Sequence, residues 1–154
     1  MPIVLSYRTM RLPMLWMRRA AVAAIGVGLL WAAATEENFH TRLAPVSMDA
    51  TMRATVAGAG SATATLAGTK LAISGTFEGL LSPATTANLR LSRVPGVRGP
   101  AVFDLTVTHS TSGSVSGTVD LSSDQTEALK KGRFYIQIQS EKAPDGNLWG
   151  WLMH

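Results

Sequence analysis

The closing stretch from Arg133 to Leu152 constrains the fold more than any other part of the chain. Apolar Phe134, Ile136 and Ile138 alternate with Tyr135, Gln137 and Gln139. A period of two places unlike residues on the two faces of a strand. Pro144-Asp145-Gly146 comes next. Pro pre-sets φ, Asp can bond its own backbone and Gly accepts positive φ, so this tripeptide predicts the turn of a β-hairpin. Leu148-Trp149-Gly150-Trp151-Leu152 then reads as the returning strand.

Upstream, short strand-like runs alternate with turn residues. They are Phe39–Ala44, Met52–Ala57, Ser61–Leu66, Leu71–Leu80, Ala87–Val94, Ala101–His109 and Val115–Leu121. Gly58-Ala59-Gly60, Ser82-Pro83-Ala84, Pro95-Gly96 and Ser112-Gly113 separate several of them. Turns spaced about eight to twelve residues apart mark an all-β sandwich or barrel. On the Ala87–Val94 run, Asn88, Arg90 and Ser92 face away from Leu89, Leu91 and Arg93. Phe103 and Leu105 are expected in the core. A single helix interrupts the series. Ser122 and Gln125 form an S-x-x-Q capping box, Asp124 suits the positive end, Lys130-Lys131 suit the negative end, and Gly132 stands where a helix ends in αL.

The first 34 residues read differently. Arg8, Arg11, Arg18 and Arg19 precede an apolar run from Ala20 to Ala34, which closes on Ala32-Ala33-Ala34. A basic region, a short apolar region and a small-x-small site make a secretory signal peptide, with cleavage expected before Thr35. The run is short against the roughly 20 apolar residues that span a bilayer, though an uncleaved anchor is the alternative. Met10, Met14 and Met17 are alternative starts of translation to Met1. The leader also accounts for the basic character of the chain, whose pI is about 10.0. Four of its 14 Lys and Arg lie in the leader, which leaves ten basic residues against ten Asp and Glu, all after Ala34. The domain over 35–154 is therefore formally neutral, and nucleic acid is not an expected partner. There is no cysteine, which excludes disulfides, thiolate metal sites and a cysteine nucleophile.

Catalytic patterns are missing. His40, His109 and His154 are scattered, and no serine sits in a strand-to-helix elbow. Gly113-Ser114-Val115-Ser116-Gly117 precedes a strand. No carboxylates pair closely enough to set two pKa values apart. Trp149 and Trp151, two apart on one strand, share a face. They either pack in the core or form an aromatic platform for a carbohydrate or a partner, with Asn88, Arg90 and Gln139 as polar neighbours.

The ordered pieces resemble the chordin-type (CHRD) domain. Phe39-x-x-x-Leu43 resembles its opening strand, and Ser61–Leu66 and Leu71–Leu80 resemble the strands that follow. Gly96-Val97-Arg98-Gly99-Pro100-Ala101-Val102-Phe103 resembles its Gly-x-x-Gly-Pro-hydrophobic run, and Val115-Ser116-Gly117-Thr118 precedes the helix and the closing hairpin. The resemblance implies an immunoglobulin-like, Greek-key antiparallel β-sandwich in an exported protein, periplasmic or secreted, with one short helix before the last hairpin. It also implies a cluster of polar positions. The family commonly carries Ala-His-(Ile/Leu)-His where this chain has Ala87-Asn88-Leu89-Arg90. A later family His is Gln139 here, and the closing Arg is Trp149. Asn88, Arg90, Gln139, Trp149 and Trp151 are thus the candidate binding patch, with an Arg90–Trp149 cation–π pair. The expected function is a non-enzymatic binding module for an unknown protein or carbohydrate, with no cofactor and no metal. A metal-binding or superoxide-dismutase-like redox protein is one alternative, although it would need the histidines that this chain replaces. A membrane-tethered structural protein is the other.

Overall fold

Alternation carries through the strands as the sequence predicts. On the strand Ala59–Ala67, Ala62, Ala64 and Leu66 are buried while Ser61 and Thr63 are exposed. The computed structural model describes residues 34–46 and 49–154. Its strands are β1 (Glu36–Pro45), β2 (Ala59–Ala67), β3 (Lys70–Glu78), β4 (Ala84–Leu91), β5 (Ala101–Val107), β6 (Gly113–Asp120), β7 (Phe134–Ser140) and β8 (Ala143–Trp151). The helix α1 (Ser123–Lys130) stands between β6 and β7. The leader and its cleavage site fall mostly outside the described residues. Among the described residues, no helix is long and apolar enough to cross a membrane.

The all-β class holds, but the strands close into an eight-stranded antiparallel barrel, where an open-edged sandwich was expected. Their order is β1-β2-β3-β6-β5-β4-β7-β8, with β8 returning to β1. The difference lies in two short seams. β5 meets β6 at Thr106–Ser116 and Val107–Val115. β1 meets β8 at Ala44–Trp149 and Pro45–Leu148, with a further bridge at His40–Met153. Gly150 lets β1 approach: a Cβ there would stand 2.8 Å from the Arg42 carbonyl oxygen. These seams pair edge groups that a sandwich leaves open. Alternation shows which residues face inward. It does not show whether the outermost strands find each other.

Inside the barrel, Phe39, Leu71, Leu89, Phe134, Ile136 and Leu148 belong to one buried cluster. Leu105 joins it, while Phe103 is only partly buried against it, a correction to its expected core position. Ala128 and Leu129 of α1 are buried in the same cluster. The predicted capping box forms. The Gln125 N–H donates to Ser122 Oγ at 3.2 Å, and the Ser122 N–H donates to Gln125 Oε1 at 2.9 Å. Gly132 closes the helix at φ 67°, and the Arg133 N–H reaches back to the Ala128 carbonyl at 3.0 Å. Ser122→Ala is expected to cost about 1 kcal/mol in a denaturant titration. A cost near zero would show that packing of Leu129 alone holds the helix.

Two local expectations are corrected. Met52–Ala57 is not a strand; Met52–Ala54 is a 3-10 turn. Asp49 Oδ1 accepts from the Thr51 hydroxyl at 2.6 Å, the Thr51 N–H at 2.9 Å and the Met52 N–H at 3.0 Å. Such local bonds draw the backbone away from a ladder. The Thr51 hydroxyl first, then the two N–H groups, hold the Asp49 carboxyl below its ordinary pKa. The contribution of this turn is therefore present above the ordinary carboxyl pKa and is lost as pH falls through the lowered one. The second correction concerns the last hairpin. Its turn is Glu141-Lys142, with Ser140 opposite Ala143. Ile138 then stands opposite Leu148, so Pro144-Asp145-Gly146-Asn147 is a bulge facing Gln139. Pro lacks an N–H to pair and Gly146 sits at φ 133°, features that serve a bulge as well as a turn.

Candidate functional site

The outward faces of β4, β5, β7 and β8 build the site. Register places Asp104, Asn88, Gln137 and Trp149 in one row across the four strands, and Arg90, Tyr135 and Trp151 in the next. These side chains point away from the barrel interior, yet Tyr135 is 0 %, Gln137 2 % and Gln139 8 % exposed. Two loops cover them.

One cover is the segment between β4 and β5. The Tyr135 hydroxyl accepts from the Gly99 N–H at 2.9 Å and lies 3.1 Å from the Gly99 carbonyl, to which it can donate. Arg90 Nε donates to that carbonyl at 2.9 Å, and the Leu91 N–H donates to the Pro100 carbonyl at 3.1 Å. At the other end, Arg133 Nε donates to the Ser92 carbonyl at 2.8 Å. The second cover is the β1–β2 connection, where Val46 and Val56 pack with Ala143, and Met52 and Trp149 lie against them. The β8 bulge ties the two covers together. Arg98 Nη1 and Gln137 Nε2 both donate to the Asp145 carbonyl, each at 3.0 Å.

Between the covers lies a cleft of about 450 Å³. Arg90, Gln137 and Gln139 form one side of its lining, with Arg98, Met52 and the Pro144-Asp145 bulge completing it. Beside it runs a chain of amide bonds. The Thr86 hydroxyl donates to Gln139 Oε1 at 3.0 Å, Gln139 Nε2 donates to Asn88 Oδ1 at 3.0 Å, and Asn88 Nδ2 donates to Asp104 Oδ1 at 2.7 Å. An aromatic cluster lies on the other flank. Tyr135 and Trp151 are 4.5 Å apart between ring centroids, and Trp149 meets each of them edge-on at 5.9 Å.

The five candidates from sequence thus occupy one outer face. Asn88 and Gln139 touch directly, Arg90 and Gln139 share the cleft, and Trp149 and Trp151 stand beside it. The expected Arg90–Trp149 pair does not form. Arg90 is turned to Gly99, and Arg98 lies over the Trp149 ring at 5.9 Å. The tryptophans are neither barrel core nor a bare platform; both are half-buried outside the barrel. Sequence reasoning missed Arg98, Met52 and Gln137 as lining residues. The shared face of Tyr135, Gln137 and Gln139 was readable from alternation, but nothing local announces that a loop folds back over it.

The histidines stay apart. His40 lies on β1, the His109 ring nitrogen is 3.2 Å from the Ala84 carbonyl, and His154 stacks on Phe39 at 4.2 Å. Among the described residues, no three His, Asp or Glu gather as a metal site would need. The donors at positions 88, 90 and 139 are two amides bonded to each other and a guanidinium, a set that does not fit copper or zinc.

No curated protein and no solved structure matches the chain. One family model does, that of the CHRD domain, over residues 29–152. Because that match takes in the whole barrel from β1 to β8, the chain belongs to the CHRD domain family.

Proposed function

We propose that this protein is an exported, non-enzymatic binding module that takes its ligand in the cleft between the two covers. One observation carries the reading. Outward-facing arginine and glutamine side chains are held in fixed positions beneath loops, so a ligand meets a pre-arranged polar surface and little ordering cost. Export is supported by the signal-peptide pattern of the first 34 residues. A membrane-tethered form differs only in whether that leader is retained, which intact-mass measurement of the exported protein decides.

The lining favours binding over catalysis. Arginine, carboxamide, methionine and proline offer hydrogen bonds and apolar contact, and the single carboxylate, Asp145, has no Ser, Thr, Cys or Lys nucleophile beside it in the lining. A redox role would need metal donors where Asn88 and Gln139 instead bond each other. Elemental analysis of the purified protein is expected to find copper and zinc well below one equivalent. A stoichiometric metal would overturn the non-redox reading. Screening against glycan and peptide arrays is expected to return a ligand whose binding weakens when Arg98 becomes Gln. A ligand indifferent to that change would place the site elsewhere.

A further inference from the structure

The chemistry of the cleft points to one class of ligand. It holds two guanidinium groups, Arg90 and Arg98. Neither has a carboxylate partner among the described residues, where the ion pairs use Lys70, Lys130, Lys131 and His154. The one carboxylate side chain lining the cleft, Asp145, contributes its backbone carbonyl to the network. Asp104, on the same face, is bonded by Asn88. Each arginine is also positioned through a single nitrogen: Arg90 by Nε to Gly99 and Arg98 by Nη1 to Asp145. The remaining N–H groups of both forks have no hydrogen-bond partner among the described residues. Guanidinium forks match carboxylates in geometry and charge. Gln137 lines the same cleft, is 2 % exposed, and its Nε2 is engaged. Its Oε1 has no partner among the described residues, and an acceptor so placed suits a hydroxyl donor.

An acidic sugar is an anion that also carries hydroxyl groups. A peptide fits less well. Peptides add as strands to a free sheet edge or are captured at their ends by open backbone N–H groups. Under the cleft β4, β7 and β8 are paired with one another, and the Gly99 N–H beside it is already taken by Tyr135. Recognition must come from side chains. Met52 and Pro144 add the apolar part of the lining, against which a sugar ring can pack.

We propose that the cleft binds a uronate-bearing saccharide. The guanidinium groups of Arg90 and Arg98 take the carboxylate, and Gln137 Oε1 accepts from a ring hydroxyl. This rests on the reading that the cleft is the binding site, and the experiment separates the two. The full-length protein is titrated calorimetrically with hexagalacturonate, with its methyl ester and with a hyaluronan hexasaccharide. A hexapeptide with a free C-terminal carboxylate and the amide of the same peptide form a second arm. At least one uronate oligomer is expected to bind, the methyl ester about tenfold more weakly or not at all. Affinity should fall as salt is raised. Arg98→Gln and Arg90→Gln should each weaken binding by about tenfold, the scale of one lost charge-assisted contact. Arg98 is exposed, so its variant is expected to keep the parent melting temperature even if Arg90→Gln does not.

Equal binding of acid and ester, still lost in Arg98→Gln, would overturn the uronate and keep the cleft. Binding only of the free-acid peptide would do the same. Uronate binding unaffected by either substitution would overturn both. Failure of both uronate oligomers to bind would overturn the proposal.

Discussion

Replacing Phe39 with alanine is expected to destabilise the protein by about 3–5 kcal/mol. The ring is fully buried in the barrel, and its partner across the β1–β2 ladder is Ala64. Ala62, also in the core, is no larger. Small neighbours cannot reach into the space a lost phenyl leaves, so the cavity stays open and the cost falls toward the upper end of that range. His154 would also lose the ring it stacks on. Domains of this size are commonly stable by about 5–15 kcal/mol, so this single change removes a large share of the margin. Denaturant titration should show a lower midpoint with an unchanged slope. His40→Ala, one residue on and exposed, serves as the control, with an expected effect within about 0.5 kcal/mol. A Phe39→Ala cost under about 1 kcal/mol would mean that β1 does not pack into the barrel as described.

Strand faces were legible because burial writes itself into a sequence with a period of two. Phe134, Ile136 and Ile138 enter the core as their spacing demands, and Leu89 does the same between Asn88 and Arg90. The helix was legible because its caps are local: Ser122, Gln125 and Gly132 act on backbone groups a few residues away. What the sequence did not show depends on groups far apart along the chain. Closure rests on β5 meeting β6 and β1 meeting β8 over short seams. Pro144-Asp145-Gly146 marks an interruption of pairing without saying whether the chain reverses there or bulges. The candidate site was half legible. Asn88 and Arg90 could be placed on one face, and their likeness to the family's polar positions brought in Gln139 and Trp149. The choice of Arg98 over Arg90 as the partner of Trp149 follows from how the segment before β5 folds back, and that is decided by Tyr135, 36 residues on.

The fold-back itself depends on Gly99. A Cβ at this position would overlap the Leu91 carbonyl oxygen and stand 2.6 Å from the Leu91 carbonyl carbon and 2.8 Å from Ser92 Cα. All three are backbone atoms and cannot swing aside as a side-chain tip would. Gly99→Ala must therefore lift the segment. Lifting removes both contacts of the Tyr135 hydroxyl and the acceptor of Arg90 Nε. Each lost hydrogen bond is worth about 0.5–1.5 kcal/mol net, and the one from the charged guanidinium somewhat more, so about 2–4 kcal/mol is expected in all. Gly96→Ala is the matched control. Gly96 lies in the same segment at φ 85° with nothing near it, so only backbone strain is added, about 1 kcal/mol. Near-ultraviolet circular dichroism should change in Gly99→Ala, because Tyr135, Trp149 and Trp151 lose their fixed arrangement, and should stay unchanged in Gly96→Ala. Far-ultraviolet spectra should match the parent in both, since no ladder of the barrel runs through either glycine. Because Arg98 is carried on the same segment, Gly99→Ala should also abolish ligand binding that Gly96→Ala leaves intact. Equal stability and equal aromatic spectra in the two variants would show that Gly99 does not seat the cover, and the cleft would lose the wall that carries Arg98.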